Sequence, residues 1–245
     1  MPGLFSFLLG MVIGSFLNVC IDRLPKGESI VSPPSQCDAC GRRLAAIDLV
    51  PVFSYLLHRG RCRYCQAAIP RRYLWVELGM GILFGLIWLR FPSSVEAGFV
   101  ASCSAILVVI LVIDLEHHKI PNRIVYPAIG FALIATLFLP ESSIGERLLG
   151  SLIGFALLFL LAYFYPSGMG MGDVKLMAFV GFIVGFPEVL LALFLSFVLG
   201  GSLSGALLAA RRIGRRDPIA FAPFIALGTL TTMFYGEQII RWWWG

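Results

Sequence analysis

The chain has 245 residues, of which 58% are hydrophobic and only 13% charged. That balance excludes an ordinary soluble domain and a disordered chain, and points to an all-α polytopic membrane protein. The net charge of +5 is not a nucleic-acid signature, because the basic residues follow a membrane topology rather than forming one binding patch.

Eight hydrophobic segments are expected to be transmembrane helices: 2–21, 73–89, 95–113, 124–139, 148–165, 174–186, 189–210 and 219–240. The fourth and sixth are short. No basic n-region or small-residue cleavage site marks a signal peptide, so the first segment is expected to stay as a helix. With the N-terminus outside, 16 of the 19 Lys and Arg fall in the inside loops 22–72, 114–123, 166–175 and 211–217. The positive-inside rule then predicts N-out and C-out, with the large loop in the cytoplasm. Arg211, Arg212, Arg215 and Arg216 read as a solvated inward-facing anchor, and Trp242, Trp243 and Trp244 as an outer aromatic belt. The expected domains are 1–21, a first transmembrane helix; 22–72, a cytoplasmic four-cysteine loop domain; and 73–245, a helical membrane domain.

In chain order, Gly10, Gly14 and Ser15 suit close helix packing, and Asn18 either bonds across a helix interface or lines a site. Residues 22–72 are too small and polar to bury a large core. They carry Cys37-x2-Cys40, a 21-residue gap and Cys62-x2-Cys65. Such paired knuckles suit one tetrahedral zinc, a closed and therefore structural site. A reducing cytoplasm argues against disulfides; free thiols or a redox pair are the other readings. His58 is a substitute ligand or an ordinary exposed histidine, and Cys20 and Cys103 are packing residues. Glu77, about one turn inside the second helix, snorkels to a loop arginine or lines a polar cavity.

Segment 95–113 runs into Asp114, on the same face as Asp173 under this topology. His117 and His118 are expected to be interfacial polar residues, since metal spacing and HExxH are absent. Segments 124–139 and 148–165 read as packing helices. Segments 189–210 and 219–240 behave likewise, with a small-residue face at Gly200, Gly201, Ser202, Ser204 and Gly205. Pro223 is expected to kink the last helix and open space there.

Ser167-Gly168-Met169-Gly170-Met171-Gly172-Asp173-Val174-Lys175 precedes a segment of only ~20 Å, so Asp173 is expected partly inside the membrane. A solvated N-cap aspartate on a surface loop is the other reading. If Asp114 and Asp173 meet, they form a carboxylate dyad that shares a proton, one acting as base on water and the other polarising a peptide carbonyl. Gly170 and Gly172 let an extended substrate approach. Lys175 biases the dyad or snorkels.

Gly170-Met171-Gly172-Asp173 matches the GxGD signature of intramembrane aspartyl proteases, and more narrowly the chain resembles the type IV prepilin peptidases. The ordered matches are Gly14-Ser15-Phe16-Leu17-Asn18-Val19 with Arg23-Leu24-Pro25; the double CxxC loop with Arg59-Gly60-Arg61-Cys62-Arg63-Tyr64-Cys65; Ile69-Pro70-Arg71-Arg72-Tyr73 with Val76-Glu77-Leu78; Ile113-Asp114-Leu115; and Gly170 to Leu176. The resemblance implies Asp114 and Asp173 as catalytic pair, supported by Gly170, Gly172, Lys175, Glu77 and Asn18. It implies prepilins and type II secretion pseudopilins as substrates, cleaved after a glycine at the cytoplasmic face of a bacterial inner membrane; these carry a short basic leader, which Asp22, Asp48 and Glu77 are candidates to hold by charge complementarity. It also implies N-methylation from S-adenosylmethionine; no nucleotide-binding βαβ unit is visible. Glu116, His117 and His118 depart mildly from the family pattern. A proton-coupled transporter, a methyltransferase without protease activity and a zinc-loop scaffold remain alternatives.

Overall fold

The computed structural model describes residues 2–91, 94–139, 143–165, 168–212, 214 and 219–244. Ser167, Arg215 and Arg216 lie outside the described residues, as does the side chain of Trp244. Among the described residues the elements are helical: α1 (Pro2–Arg23), a 3₁₀ turn (Ala46–Leu49), α2 (Phe53–Leu57), α3 (Arg71–Arg90), α4 (Ser94–His117), α5 (Asn122–Thr136), α6 (Ile144–Phe164), α7 (Met171–Val184), α8 (Glu188–Ala209) and α9 (Ala222–Trp244).

Each of the eight hydrophobic segments falls on a helix, but eight complete crossings are not established. Five helices, α1, α3, α4, α6 and α8, are long and apolar enough to cross a membrane, which makes this a multi-pass membrane protein. The 15 residues of α5 and 14 of α7 reach only ~22 and ~21 Å. The 23 residues of α9 are diluted by three threonines, Glu237, Gln238 and Arg241. The chain divides into two compact units, one ending at Ala105 and one beginning at Ile106, with α4 running through the boundary.

In the first unit α1 and α3 pack antiparallel through small residues. A Cβ added at Gly14 would lie 2.8 Å from Glu77 Cα, and one at Gly81 would lie 3.2 Å from the Phe7 carbonyl. Asn18 Nδ2 donates to the Tyr73 carbonyl at 3.2 Å in the same register. At the end of this pair Asp22 accepts from both Arg72 and the Tyr73 hydroxyl. Cys20 and Cys103 are buried, as expected of packing residues.

In the second unit α7 is the central element, touching α5, α6, α8 and α9. It is packed antiparallel on α6 so closely that a Cβ at Gly150 would lie 2.6 Å from the Gly185 carbonyl carbon, and one at Gly154 would lie 3.0 Å from the Met177 carbonyl oxygen. The helix stops where Gly185 takes φ 81°, a conformation glycine adopts at little cost. Its last carbonyls find a donor in Arg147, whose Nη1 lies 2.8 Å from Phe182 O and 2.6 Å from Ile183 O. Hydrocarbon supplies no donor for carbonyls at a helix end, so the chain supplies its own. Helix α6 starts four residues earlier than the hydrophobic segment, because Ser143 caps it by accepting the Glu146 N–H; the Ser-x-x-Glu signature was there to be read.

Two expectations are corrected. Pro223 is the second residue of α9, where proline starts a helix rather than kinking it. Of the small residues on α8, Gly200 packs against Phe224 and Phe221, whereas Gly201 and Gly205 face open space, and Ser202 and Ser204 bond to carbonyls of their own helix.

Replacing Gly150 by valine should lower the unfolding midpoint in detergent by an amount worth ~1–3 kcal/mol or more, since backbone faces the new side chain. Gly201→Ala should change it by less than about 0.5 kcal/mol. Thermal denaturation followed by circular dichroism compares the two.

Candidate active site and cysteine cluster

Asp173 is not the N-cap of α7. Gly170 is the N-cap and Asp173 the third helical residue. Its carboxylate reaches back to the Gly170 N–H, the returning half of a capping box. A Cβ added at Gly170 would stand 3.5 Å from the Asp173 Oδ2, an ordinary contact. Gly172 is needed on the other side, where Ile120 Cβ would be 3.0 Å from an added Cβ. The Asp173 Oδ1 is buried and has no hydrogen-bond partner.

The register of α6 against α7 brings Asp173 level with Leu158, six residues and ~9 Å before the end of α6. A start for α7 below the end of its neighbour is what the shortness of segment 174–186 led us to expect.

Asp114 lies in the last turn of α4 and is 6% exposed. A carboxylate there opposes the helix dipole. The first N–H of α9 offsets this: Ala222 N donates to Asp114 Oδ2 at 3.1 Å. The chain turns sharply after Asp114, with His118 at φ 50° and its N–H on the Asp114 carbonyl at 2.9 Å. This folds Ile120 and Asn122 back onto the start of α7. Asp173 lies within reach of the Asp114 charge, so the second unit brings together the two aspartates read from separate segments. Lys175 belongs to α5 rather than to the pair: its Nζ donates to Asn122 Oδ1 at 3.0 Å and stands 5.2 Å from the Tyr126 ring centre. Sequence reading missed Asn122, whose side-chain oxygen finds its partner 53 residues away, and Ala222, whose backbone N–H leaves no residue-type signal.

In the first unit Asn18 and Glu77 are buried polar groups. Glu77 Oε2 accepts the Val52 N–H at 2.7 Å; this replaces both the loop arginine and the open cavity as its partner. Asp22 is held by Arg72 and Tyr73. Asp48 is held by the Ala45 N–H at 3.0 Å, the Tyr64 hydroxyl at 2.9 Å and Arg63 at 3.8 Å. Burial works against the Asp48 charge, but these donors together keep its carboxyl below the usual range. All three carboxylates proposed for a basic segment are thus engaged within the chain.

The four cysteines converge. Their sulfurs lie within 4.8 Å of one another, and Cys37 Sγ and Cys65 Sγ are 3.8 Å apart. Four sulfurs at ~2.3 Å around a tetrahedral ion are separated by about 3.8 Å, so the cluster fits a metal ion and not a disulfide. Each knuckle closes the same way: Gly41 N donates to the Cys37 carbonyl and Gln66 N to the Cys62 carbonyl, with Gly41 at φ 67° and Gln66 at φ 59°. N–H groups of Cys65 and Tyr64 bring the Cys62 thiol down to about 7. The Ala67 N–H pulls Cys65 down, but burial and the thiols of Cys62, Cys40 and Cys37 push it up to about 12. Four thiolates therefore need a cation among them.

The fold and sites define a multi-pass helical membrane protein with an aspartate pair, Asp114 buried and Asp173 half-buried, and a four-cysteine module. The model of the bacterial peptidase A24 N-terminal domain matches residues 8–91, and that of the type IV leader peptidase family matches residues 101–205. A prepilin leader peptidase/N-methyltransferase of Bacillus subtilis is 34% identical over 234 residues, covering 96% of this chain and 94% of that protein. Those of Pseudomonas aeruginosa and Stutzerimonas stutzeri are 31% and 30% identical, over 97% and 96% of this chain and 92% and 91% of theirs. No solved structure matches the chain. The chain belongs to the type IV leader peptidase family.

Purified protein should bind one equivalent of a thiophilic divalent cation, measured by elemental mass spectrometry, and the pair Cys37→Ser and Cys62→Ser should abolish it. Thiolates are the ligands, so uptake should weaken as pH falls through about 7, where Cys62 takes up its proton.

Proposed function

We propose that this protein is a membrane aspartyl endopeptidase that removes the leader of type IV prepilins and type II secretion pseudopilins, cleaving after a glycine. We propose also that it N-methylates the new terminus with S-adenosylmethionine. The observation that carries the peptidase is the asymmetry of the aspartate pair. Asp114 Oδ2 accepts the first N–H of α9, whereas Asp173 Oδ1 is buried without a partner. Each carboxylate meets one helix-start N–H, Asp114 that of Ala222 and Asp173 that of Gly170, so the open position of the pair is Asp173 Oδ1, and we place the shared proton there.

In this reading Asp114 takes a proton from a water as the water attacks the scissile carbonyl carbon. Asp173 gives its proton to the carbonyl oxygen. The tetrahedral species collapses with the C–N bond breaking, and the proton on Asp114 passes to the departing amine. As the C=O re-forms, the hydroxyl that had taken the Asp173 proton returns it to Asp173, so water ends in the new carboxyl and amine and the pair holds its single proton again. Gly170 leaves the Oδ2 side of Asp173 clear for the substrate backbone, while the missing side chain of Gly172 makes room for Ile120. Lys175, held by Asn122 and Tyr126, supports the start of α7 rather than touching the reacting atoms.

The charge asymmetry of the loops supports an inner-membrane orientation with both termini periplasmic and the cysteine module and aspartate pair at the cytoplasmic face. In the cysteine module we assign structural zinc to Cys37, Cys40, Cys62 and Cys65, with no open coordination position for substrate. The methyltransferase activity rests on the relatives' names, and S-adenosylmethionine would supply the methyl group. A proton-coupled transporter fits less well, because the aspartates lie at helix ends on one side of α4 and α7 rather than at a repeat interface.

Asp114→Asn and Asp173→Asn should each lower leader cleavage by at least about 10²-fold, with methylation of a pre-cleaved peptide retained. Mass spectrometry of a prepilin-like peptide, with and without S-adenosylmethionine, reads both activities, and a single variant cleaving at the wild-type rate would sink the pair. Ala222→Pro, at a first-turn position whose backbone proline tolerates, removes the N–H donated to Asp114 and sets a ring carbon against the carboxylate in its place. It should lower kcat/KM for cleavage roughly ten- to hundredfold.

A further inference from the structure

The connection between α1 and α3 holds an element that the peptidase and methyltransferase readings leave unused. Pro51, Val52 and Phe53 make a tight γ-turn. The Phe53 N–H points back to the Pro51 carbonyl, and Val52 sits at φ 62° and ψ −49°. This is the strained hand of the turn, and a β-branched residue is poorly suited to it. The Val52 N–H is taken by Glu77 Oε2 at 2.7 Å, and Glu77 is only 7% exposed.

The depth of that anchor follows from α3. Glu77 lies five residues, ~7.5 Å, beyond Arg72, whose guanidinium pairs with Asp22 at the head of the α1–α3 pair. Helical side chains lean toward the helix N-terminus, which brings the carboxylate part of the way back. Val52 is therefore held at or beneath the level of the Asp22–Arg72 pair. Trp75 lies between these two levels and is 65% exposed, as a tryptophan at a membrane interface is.

Around Val52 the chain presents apolar side chains outward. Ile47, Leu49, Val50, Phe53, Leu56 and Leu57 are 41–61% exposed. Residues 22–72 also carry nine Lys and Arg against four Asp and Glu, with Arg43, Arg59 and Arg61 exposed. A tethered, positively charged module with an apolar face at headgroup depth complements an anionic leaflet.

We propose that residues 47–57 are an interfacial membrane element. The apolar side chains of Ile47–Leu57 insert at the headgroup–acyl boundary, and the surrounding arginines meet anionic headgroups. Glu77 is the internal anchor: irregular backbone at this depth finds no water for its N–H, and the buried carboxylate replaces it. The inference rests on the membrane-spanning α1 and α3, and not on the proposed chemistry.

The test uses the full chain in nanodiscs of phosphatidylcholine and phosphatidylglycerol. Genetically encoded nitroxide side chains at positions 53, 56 and 57, with position 43 as control, are probed with oxygen and a water-soluble nickel chelate. Positions 53, 56 and 57 should prefer oxygen and report depths of about 5–10 Å below the headgroups, and position 43 should prefer nickel. Equal nickel access at 43 and 56 would overturn the proposal. So would spin–spin broadening showing a second copy seated on the face. Adding Glu77→Ala to the Leu56-labelled chain should move the label toward water, while Glu77→Gln, which still offers an oxygen to Val52, should restore the depth. An unchanged depth in Glu77→Ala would remove the anchor role. If that variant fails to fold, the depths in the wild-type background still decide whether the element is inserted.

Discussion

Backbone N–H groups that no helix satisfies face carboxylates at three points, and the sites depend on that pairing. Ala222 at the start of α9 meets Asp114, Gly170 at the start of α7 meets Asp173, and the turn residue Val52 meets Glu77. An unpaired buried N–H costs roughly 1–3 kcal/mol, and an unpaired buried carboxylate costs more. Bringing the two together removes both penalties, which fixes the carboxylate in place. The functional groups are held by main chain, so neighbouring side chains are left to shape access.

The shortness of α7 serves the same end. A helix of full span would carry Asp173 to the membrane surface and into water. At 14 residues the helix starts inside the register of α6, and both its ends need partners from the chain. Arg147 supplies them at one end, and the glycine turn with Asp173 supplies them at the other. The close α6–α7 seam leaves no space for slippage between these two anchors, because Gly150 and Gly181 face each other backbone to backbone. Depth, and with it the dry surroundings of Asp173, is therefore set by packing some distance away.

The cysteine module works on a different principle. It has little core: the 3₁₀ turn Ala46–Leu49 and α2 bury no residue. Its order comes from two knuckles sharing one four-sulfur cluster, from Asp48 with its three donors, and from Glu77 reaching out of α3. A small polar segment anchored by so few points can hold a defined shape beside the bilayer without competing with the helices for apolar residues.

Much of this was legible in the residues. All eight hydrophobic segments became helices because apolar runs of that length have few other ways to satisfy their backbone. The CxxC pairs converged because thiol spacing dictates a knuckle. Gly10 and Gly14 packed as small residues do. The number of full crossings was not legible, since α5, α7 and α9 differ from true spans only by a few residues or a few polar substitutions. Pro223 was misread because its effect depends on where the helix starts, and that start is marked by the Phe221 carbonyl accepting the Phe224 and Ile225 N–H groups and by Asp114 accepting that of Ala222. Lys175 and Glu77 stood out as polar residues on apolar helices, but their partners, Asn122 and the Val52 N–H, lie 53 and 25 residues away. Composition, segment lengths and thiol spacing are local or additive properties, so the sequence alone determined the membrane class, the helices and the four-cysteine cluster. Which N–H meets which carboxylate, and at what depth, depends on the register of helices packed across a hundred residues of chain, so only the tertiary structure decided it.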